Sequence, residues 1–319
     1  MRGPYRYIVA ALLFALAGCG GPSKPKAEQT AGPVPLTVLA ETSISGRILG
    51  EVLRSPSGLA VDRLGAVYLV DAGNNRVIRF DRDLNPVRDF GGYGGSTGLF
   101  NRPDYVCVDN DLNVLVTDPG NQRISRLDSR LNFVSEIILQ DDEDPLKFGE
   151  PAGVALGGYG TVWWCDREND RLVILDNVEQ FDRFVGDYGY AGGQLHSPEK
   201  IVASRDNDFY VCDAGNARIV VYDQYGNFER EMFDRSLKYP RAMAFDDNGR
   251  IWVLDSNLGL LSCLDRSGRL LMQVGPVLPG ADDRLRNPSD LAFAADGRLI
   301  IADTGNHRLL LCRIAYQNP

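Results

Sequence analysis

The chain has 319 residues, 44% hydrophobic and 24% charged, with 43 acidic against 34 basic side chains and a formal net charge of −9. That is enough apolar material for a sizeable core, and the acidic balance argues against nucleic acid as a partner, because phosphate binding rests on a basic, counterion-releasing surface. Two histidines, and six cysteines with no Cys-x-x-Cys pair, carry no signature of a His-rich or Cys-rich metal site.

In chain order, Arg2 and Arg6 come first, followed by the short apolar run Ile8-Val9-Ala10-Ala11-Leu12-Leu13-Phe14-Ala15-Leu16. It is too short for a transmembrane helix and suits a signal peptide. Leu16-Ala17-Gly18-Cys19 resembles a bacterial lipobox. Residues 1–18 are therefore expected to be a lipoprotein signal peptide, removed to leave a lipid-modified Cys19, with residues 19–34 a flexible Gly/Pro-rich tether. Gly20 stands where inner-membrane retention is associated with aspartate. The expected address is a bacterial envelope, anchored by lipid at the outer membrane, with the folded part in the periplasm or at the cell surface.

Residues 35–316 are expected to form one domain, and a repeat decides its fold. Six times a proline is followed fifteen residues later by an aspartate: Pro56/Asp71, Pro103/Asp118, Pro151/Asp166, Pro198/Asp213, Pro240/Asp255 and Pro288/Asp303. Successive aspartates lie 47, 48, 47, 42 and 48 residues apart, so each unit is one supersecondary element stacked on its neighbours. A first strand begins after each proline. A second, such as Val67-Tyr68-Leu69-Val70 or Val162-Trp163-Trp164-Cys165, runs into the aspartate as an uninterrupted apolar stretch, the pattern of a strand buried on both faces. Turns such as Asp62-Arg63-Leu64-Gly65 and Asp246-Asp247-Asn248-Gly249 join the two as hairpins. A third strand (Arg76-Val77-Ile78-Arg79-Phe80) and a more variable fourth (Val87-Arg88-Asp89-Phe90) complete the unit. Six units of four antiparallel strands define an all-β, six-bladed β-propeller.

The turns after the aspartates carry a resemblance to a known family. Asp71-Ala72-Gly73-Asn74-Asn75-Arg76, Asp118-Pro119-Gly120-Asn121-Gln122-Arg123, Asp213-Ala214-Gly215-Asn216-Ala217-Arg218 and Asp303-Thr304-Gly305-Asn306-His307-Arg308 are similar to the NHL repeat. The third unit, Asp166-Arg167-Glu168-Asn169-Asp170-Arg171, keeps Asn and Arg without Gly, and the fifth, at Asp255, lacks the arginine. The resemblance implies a bacterial lipoprotein member of the NHL-repeat propellers, and it bears on fold far more than on activity.

The sixth unit supplies three strands before the chain stops, so its fourth is expected from Leu36-Thr37-Val38-Leu39 or from the segment 44–49, closing the ring without a free edge. The six aspartates and Arg76, Arg123, Arg171, Arg218 and Arg308 are expected to be architectural, the carboxylates accepting turn amides and the arginines bridging to them. Cys107, Cys165, Cys212, Cys263 and Cys312 fall in strands and are expected to be unpaired core residues.

Function is expected where equivalent positions diverge, at the channel mouth. The candidates are Asp104, Tyr105, Glu199, Lys200, Arg241 and Asp290 just after the prolines, Arg167 and Glu168 in the third turn, and the two histidines, His196 and His307. The expected role is a monomeric binding or scaffold module for an envelope protein, a carbohydrate or a small ligand. The alternative is a propeller enzyme of lyase or lactonase-like hydrolase type at the same mouth. No cofactor is firmly implied; Ca²⁺ is the metal that Asp104, Glu199 and Asp290, or the run Asp141-Asp142-Glu143-Asp144, would suit.

Overall fold

The computed structural model describes residues 35–109, 111–139, 146–232, 236–278 and 284–316. The signal peptide, Cys19, the tether and the acidic run 141–144 lie outside the described residues.

Six four-stranded antiparallel sheets form the blades of a propeller. Blade one comprises Pro56–Val61, Val67–Asp71, Arg76–Phe80 and Pro86–Gly91, and blade four repeats it as Pro198–Ala203, Phe209–Asp213, Arg218–Tyr222 and Phe228–Met232. Every residue of all six second strands is buried, as their unbroken apolar runs require. In blades one, two and five the hairpin turn before this strand is held by Asx geometry: in blade one Asp62 Oδ1 accepts from the N–H groups of Leu64 and Ala66, both at 2.9 Å, and Gly65 supplies the positive φ of +88°.

The core is distributed among the clefts between blades. Leu69 and Ile78 of blade one pack with Ile300 and Leu309 of blade six, and Tyr68 and Val70 from the other side of blade one pack with Val114 and Val116 of blade two. Between blades three and four, Trp163 stacks on Phe209 at 3.8 Å and 13°. Each large side chain buried this way contributes about 1.5–3 kcal/mol.

Blade six closes as counted. Pro35–Ile44 pairs antiparallel with Arg308–Tyr316, placing Val38 opposite Ile314 and Ile44 opposite Leu309. Of the two candidate segments the first is therefore the closing strand. Val38 is fully buried, and the strand also exchanges backbone hydrogen bonds with Val277. The chain then passes through a small hairpin, Arg47–Ile48 with Glu51–Val52.

The aspartate anchors make a different hydrogen bond from the one expected. Each is fully buried. Asp213 Oδ1 accepts the backbone N–H of His196, two residues before the proline, while Oδ2 accepts Asn216 Nδ2 at 2.8 Å and Arg218 Nε at 2.7 Å. Asp71, Asp118, Asp166 and Asp303 bind the same three partners of their own blades. The carboxylate thus ties the incoming loop to the turn. Only Asp255, whose turn has Leu258 and Leu260 where the others have Asn and Arg, uses turn amides, those of Asn257 and Leu258, beside the N–H groups of Lys238 and Tyr239.

The same contact explains the turn glycine. A Cβ on Gly120 would sit 2.3 Å from the carbonyl oxygen of Asn101, and one on Gly73 would sit 2.7 Å from that of Arg54. Loop and turn touch backbone to backbone. In the third blade Glu168 replaces that glycine, and the residue opposite is Gly149, whose own Cβ would lie 2.8 Å from Glu168 Cβ. The glycine has changed sides of one contact.

Candidate functional site

At the start of the first strand the pairing register jumps between Pro56 and Leu59, Pro151 and Val154, Pro198 and Ile201, and Pro240 and Ala242. A bulge re-aims the residues it contains, and in these blades the positions just after the proline, two in blades one, three and four and Arg241 alone in blade five, are the ones released. In blade four these are Glu199 and Lys200.

Glu199, 3% exposed, is the hub of the mouth. Its Oε2 accepts from Tyr105 Oη of blade two at 3.0 Å, its Oε1 from Tyr239 Oη before blade five at 2.8 Å, and both oxygens from Arg167 of blade three at 3.2 and 3.3 Å. Arg167 also reaches Asp104 at 3.5 Å and Glu150 at 3.9 Å, and Arg241 faces Asp104 at 3.9 Å. One layer deeper, Lys200 Nζ is ion-paired with Asp290, whose Oδ2 accepts the N–H of Leu59 in blade one at 2.8 Å. The seam between blades six and one is hydroxyl-lined: Thr304 Oγ1 donates to Pro56 O, and Ser289 Oγ to Ser57 O.

The electrostatics follow from burial. Burial pushes the Asp104 carboxyl up against the opposing pull of Arg241 and Arg167. Tyr105 is raised well above its ordinary value by burial and then by Glu199, and Tyr239 is pushed up to about 12 by the same two causes. Burial disfavours the Arg167 cation, but Glu199 and Asp104 outweigh it and its pKa rises. Every carboxylate of the mouth therefore faces a cation or a phenol. Arg241 is the least satisfied member: its Nε is buried without a hydrogen-bond partner among the described residues.

Seven of the ten sequence candidates meet here: Asp104, Tyr105, Arg167, Glu199, Lys200, Arg241 and Asp290. They are not a solvated rim, since Tyr105, Glu199, Lys200 and Asp290 are buried. The other three lie outside the network. Glu168 is exposed and accepts the N–H of Glu150, His196 sits 3.4 Å from Asp170, and His307 accepts the N–H of Ser55 at its turn. Tyr239 was missed; its signal is an aromatic immediately before Pro240, where the other units have Ser, Arg, Glu, Ser and Asn. Asp104, Glu199 and Asp290 are each neutralised by Arg or Lys and do not offer the free oxygen set that Ca²⁺ takes. Among the described residues no three His, Cys, Asp or Glu side chains gather as metal ligands would. All five strand cysteines are free thiols.

Repeats and sheet order together define a class: a six-bladed β-propeller that carries NHL repeats. Comparison with known families matches the NHL repeat at residues 53–80, 195–222 and 285–310. Over 131 residues the chain is 30% identical to protein brain tumor of Drosophila melanogaster, covering 40% of this chain and 13% of that protein, so it spans only a small part of that relative. Among solved structures it resembles a gluconolactonase from Xanthomonas campestris (TM-score 0.64, 16% identity, 89% of this chain and 99% of that one). It also resembles a catalytically inactive histidine-to-alanine variant of virginiamycin B lyase from Staphylococcus aureus, solved with quinupristin (TM-score 0.62, 15% identity, 86% and 88%). At these identities the shared property is the fold.

Proposed function

We propose that the propeller is a binding module that captures its partner on the face of the channel mouth, and that it works in a bacterial envelope, held by lipid on Cys19. The observation that carries this reading is the closed network around Glu199. Groups from blades two, three, four and five lock one another into a fixed surface, which favours recognition by a preformed site. Its partly exposed guanidiniums, Arg167 and Arg241 at 25% and 24% side-chain exposure, present donors to an acidic or hydrogen-bonding partner. The test is capture from envelope extract by wild type and by an Arg167→Gln/Arg241→Gln variant of equal melting temperature. Proteins or glycans held by wild type and lost by the variant support the reading; identical captures reject it. Membrane address is tested separately: Cys19→Ser should abolish lipid labelling and release the protein from membranes.

The second reading is a lyase or lactonase-like hydrolase acting at the same mouth. It is favoured by the raised Asp104 carboxyl in a buried site and by the likeness in fold to the gluconolactonase and the virginiamycin lyase. Ring opening of gluconolactone, with and without added Ca²⁺, decides it: turnover abolished by Asp104→Asn would make the mouth an active site.

A further inference from the structure

The channel is blocked near the mouth, and its other end is a separate blind cavity. A space of about 870 Å³ opens on the face of the Asx turns, with Lys200 at its inner end and none of Asp104, Tyr105, Glu199 or Arg241 in its wall. Lys200 reaches from blade four to Asp290 of blade six, and both are buried, so the pair forms a floor across the channel. The collar at the open end is the position five residues after each proline: Val61, Val108, Leu156, Ala203, Phe245 and Phe293. All six are apolar and all six are only half-buried. Phe245 is held edge-on by Tyr210 at 5.0 Å and Phe293 by Trp252 at 6.2 Å, so the collar is fixed.

The geometry points to a second ligand site on this face, for an uncharged, elongated apolar small molecule that inserts its apolar part between the inner strands. The volume is that of a small-molecule pocket: the inner strands give it an apolar wall, while Asp109, Asp111, Asn177, Ser204, Arg205 and Asn207 line it beside the collar, so that the apolar part of a ligand seats inside and its polar end stays at the rim. The blind floor excludes a polypeptide threading through. Charge is excluded by the floor too, because Lys200 and Asp290 already neutralise each other and a charged group brought to the same depth would have no counter-ion. This site is independent of the reading of the mouth, lies on the opposite face, and can fail or hold without it.

The test is titration of the intact protein with N-phenyl-1-naphthylamine, an uncharged apolar fluorophore, against wild type and two cavity-filling variants, Ala203→Phe and Ala244→Phe. Saturable one-to-one enhancement, displaced by 1-decanol and weakened at least about tenfold in a folded filled variant, is expected. Cys107 gives a readout that needs no variant, because it is a half-buried residue of the cavity wall while the other four strand cysteines are buried; burial pushes its thiol up to about 12, so the labelling is run at alkaline pH. Decanol should slow modification of Cys107 by methyl methanethiolsulfonate, mapped by peptide mass. Non-saturable fluorescence, wild-type affinity in both folded filled variants, or no protection of Cys107 would overturn the proposal.

Discussion

Lys200 in the fourth blade and Asp290 in the sixth are ion-paired across the channel, 90 positions apart in sequence, and Asp290 extends the link to the backbone of Leu59 in the first blade. Removing one partner leaves the other as a buried charge, so Lys200→Met should cost about 3–5 kcal/mol in urea unfolding. The double variant Lys200→Met/Asp290→Asn should recover much of that loss, since Asn keeps an acceptor for Leu59. A single variant as stable as wild type would mean that the pair does not brace the channel.

Asp213→Ala should be costly for a related reason. It leaves Nε of Arg218, 5% exposed, without its acceptor, with Glu231 the remaining carboxylate on that guanidinium, and removes the acceptor for His196 N–H and Asn216. The expected loss is about 3–5 kcal/mol, with Asp213→Asn intermediate because it keeps the amide contact. Thermal and urea melts of the two variants measure it, and equal stability of both would deny the arginine its structural part.

Closure gives a truncation pair. A chain beginning at residue 35 should melt cooperatively like the full-length protein. One beginning at residue 50 lacks the strand that covers Arg308–Tyr316 and should aggregate or unfold, because it bares a sheet edge and removes buried Val38. Light scattering beside a thermal melt distinguishes the two outcomes.

The pH response follows from two groups of aspartates that move in opposite directions. Burial raises Asp104, Asp118 and Asp213 above 3.8 despite their hydrogen bonds and cationic neighbours. Asp81 is lowered by the Asn85 side chain; in Asp128, Asp223 and Asp265 slight burial pulls upward, and turn hydrogen bonds from Asn132, Asn227 and Ser267 outweigh it. A raised carboxyl binds its proton more tightly when folded, so its contribution is full below 3.8 and is lost as pH rises through the folded value. A lowered one contributes above 3.8 and loses that as pH falls through its folded value. Melting temperature should therefore hold or rise slightly from neutrality down to about pH 4 and fall below it. A steady decline between about pH 6 and 4.5 would contradict these directions.

The fold was almost wholly legible because its unit repeats: a proline and an aspartate at fixed spacing, with a wholly apolar strand between them, mark each blade, and the missing fourth strand of blade six follows from counting. The site was legible by position but not by environment. Tyr105 and Lys200 stand where a loop enters a strand, which suggests exposure, yet in blade four the residues after the proline belong to a bulge inside the inner strand and turn into the channel. Hydrophobic pattern cannot report that, since it carries no register. Nor could it show that Asp213 holds an amide of the preceding loop, a contact 17 residues away in sequence, or that Gly149 compensates Glu168.

The central claim is that the partner binds the mouth face. The most direct measurement is photo-crosslinking in the native envelope with benzoylphenylalanine placed at Leu258, 42% exposed in the fifth turn on the mouth face, or at Leu64, 63% exposed in a turn on the opposite face. A discrete macromolecular adduct from position 258, absent from position 64 and lost when Arg241→Gln is added, is the predicted result. Adducts of equal yield from both positions, or from position 64 alone, would contradict the account.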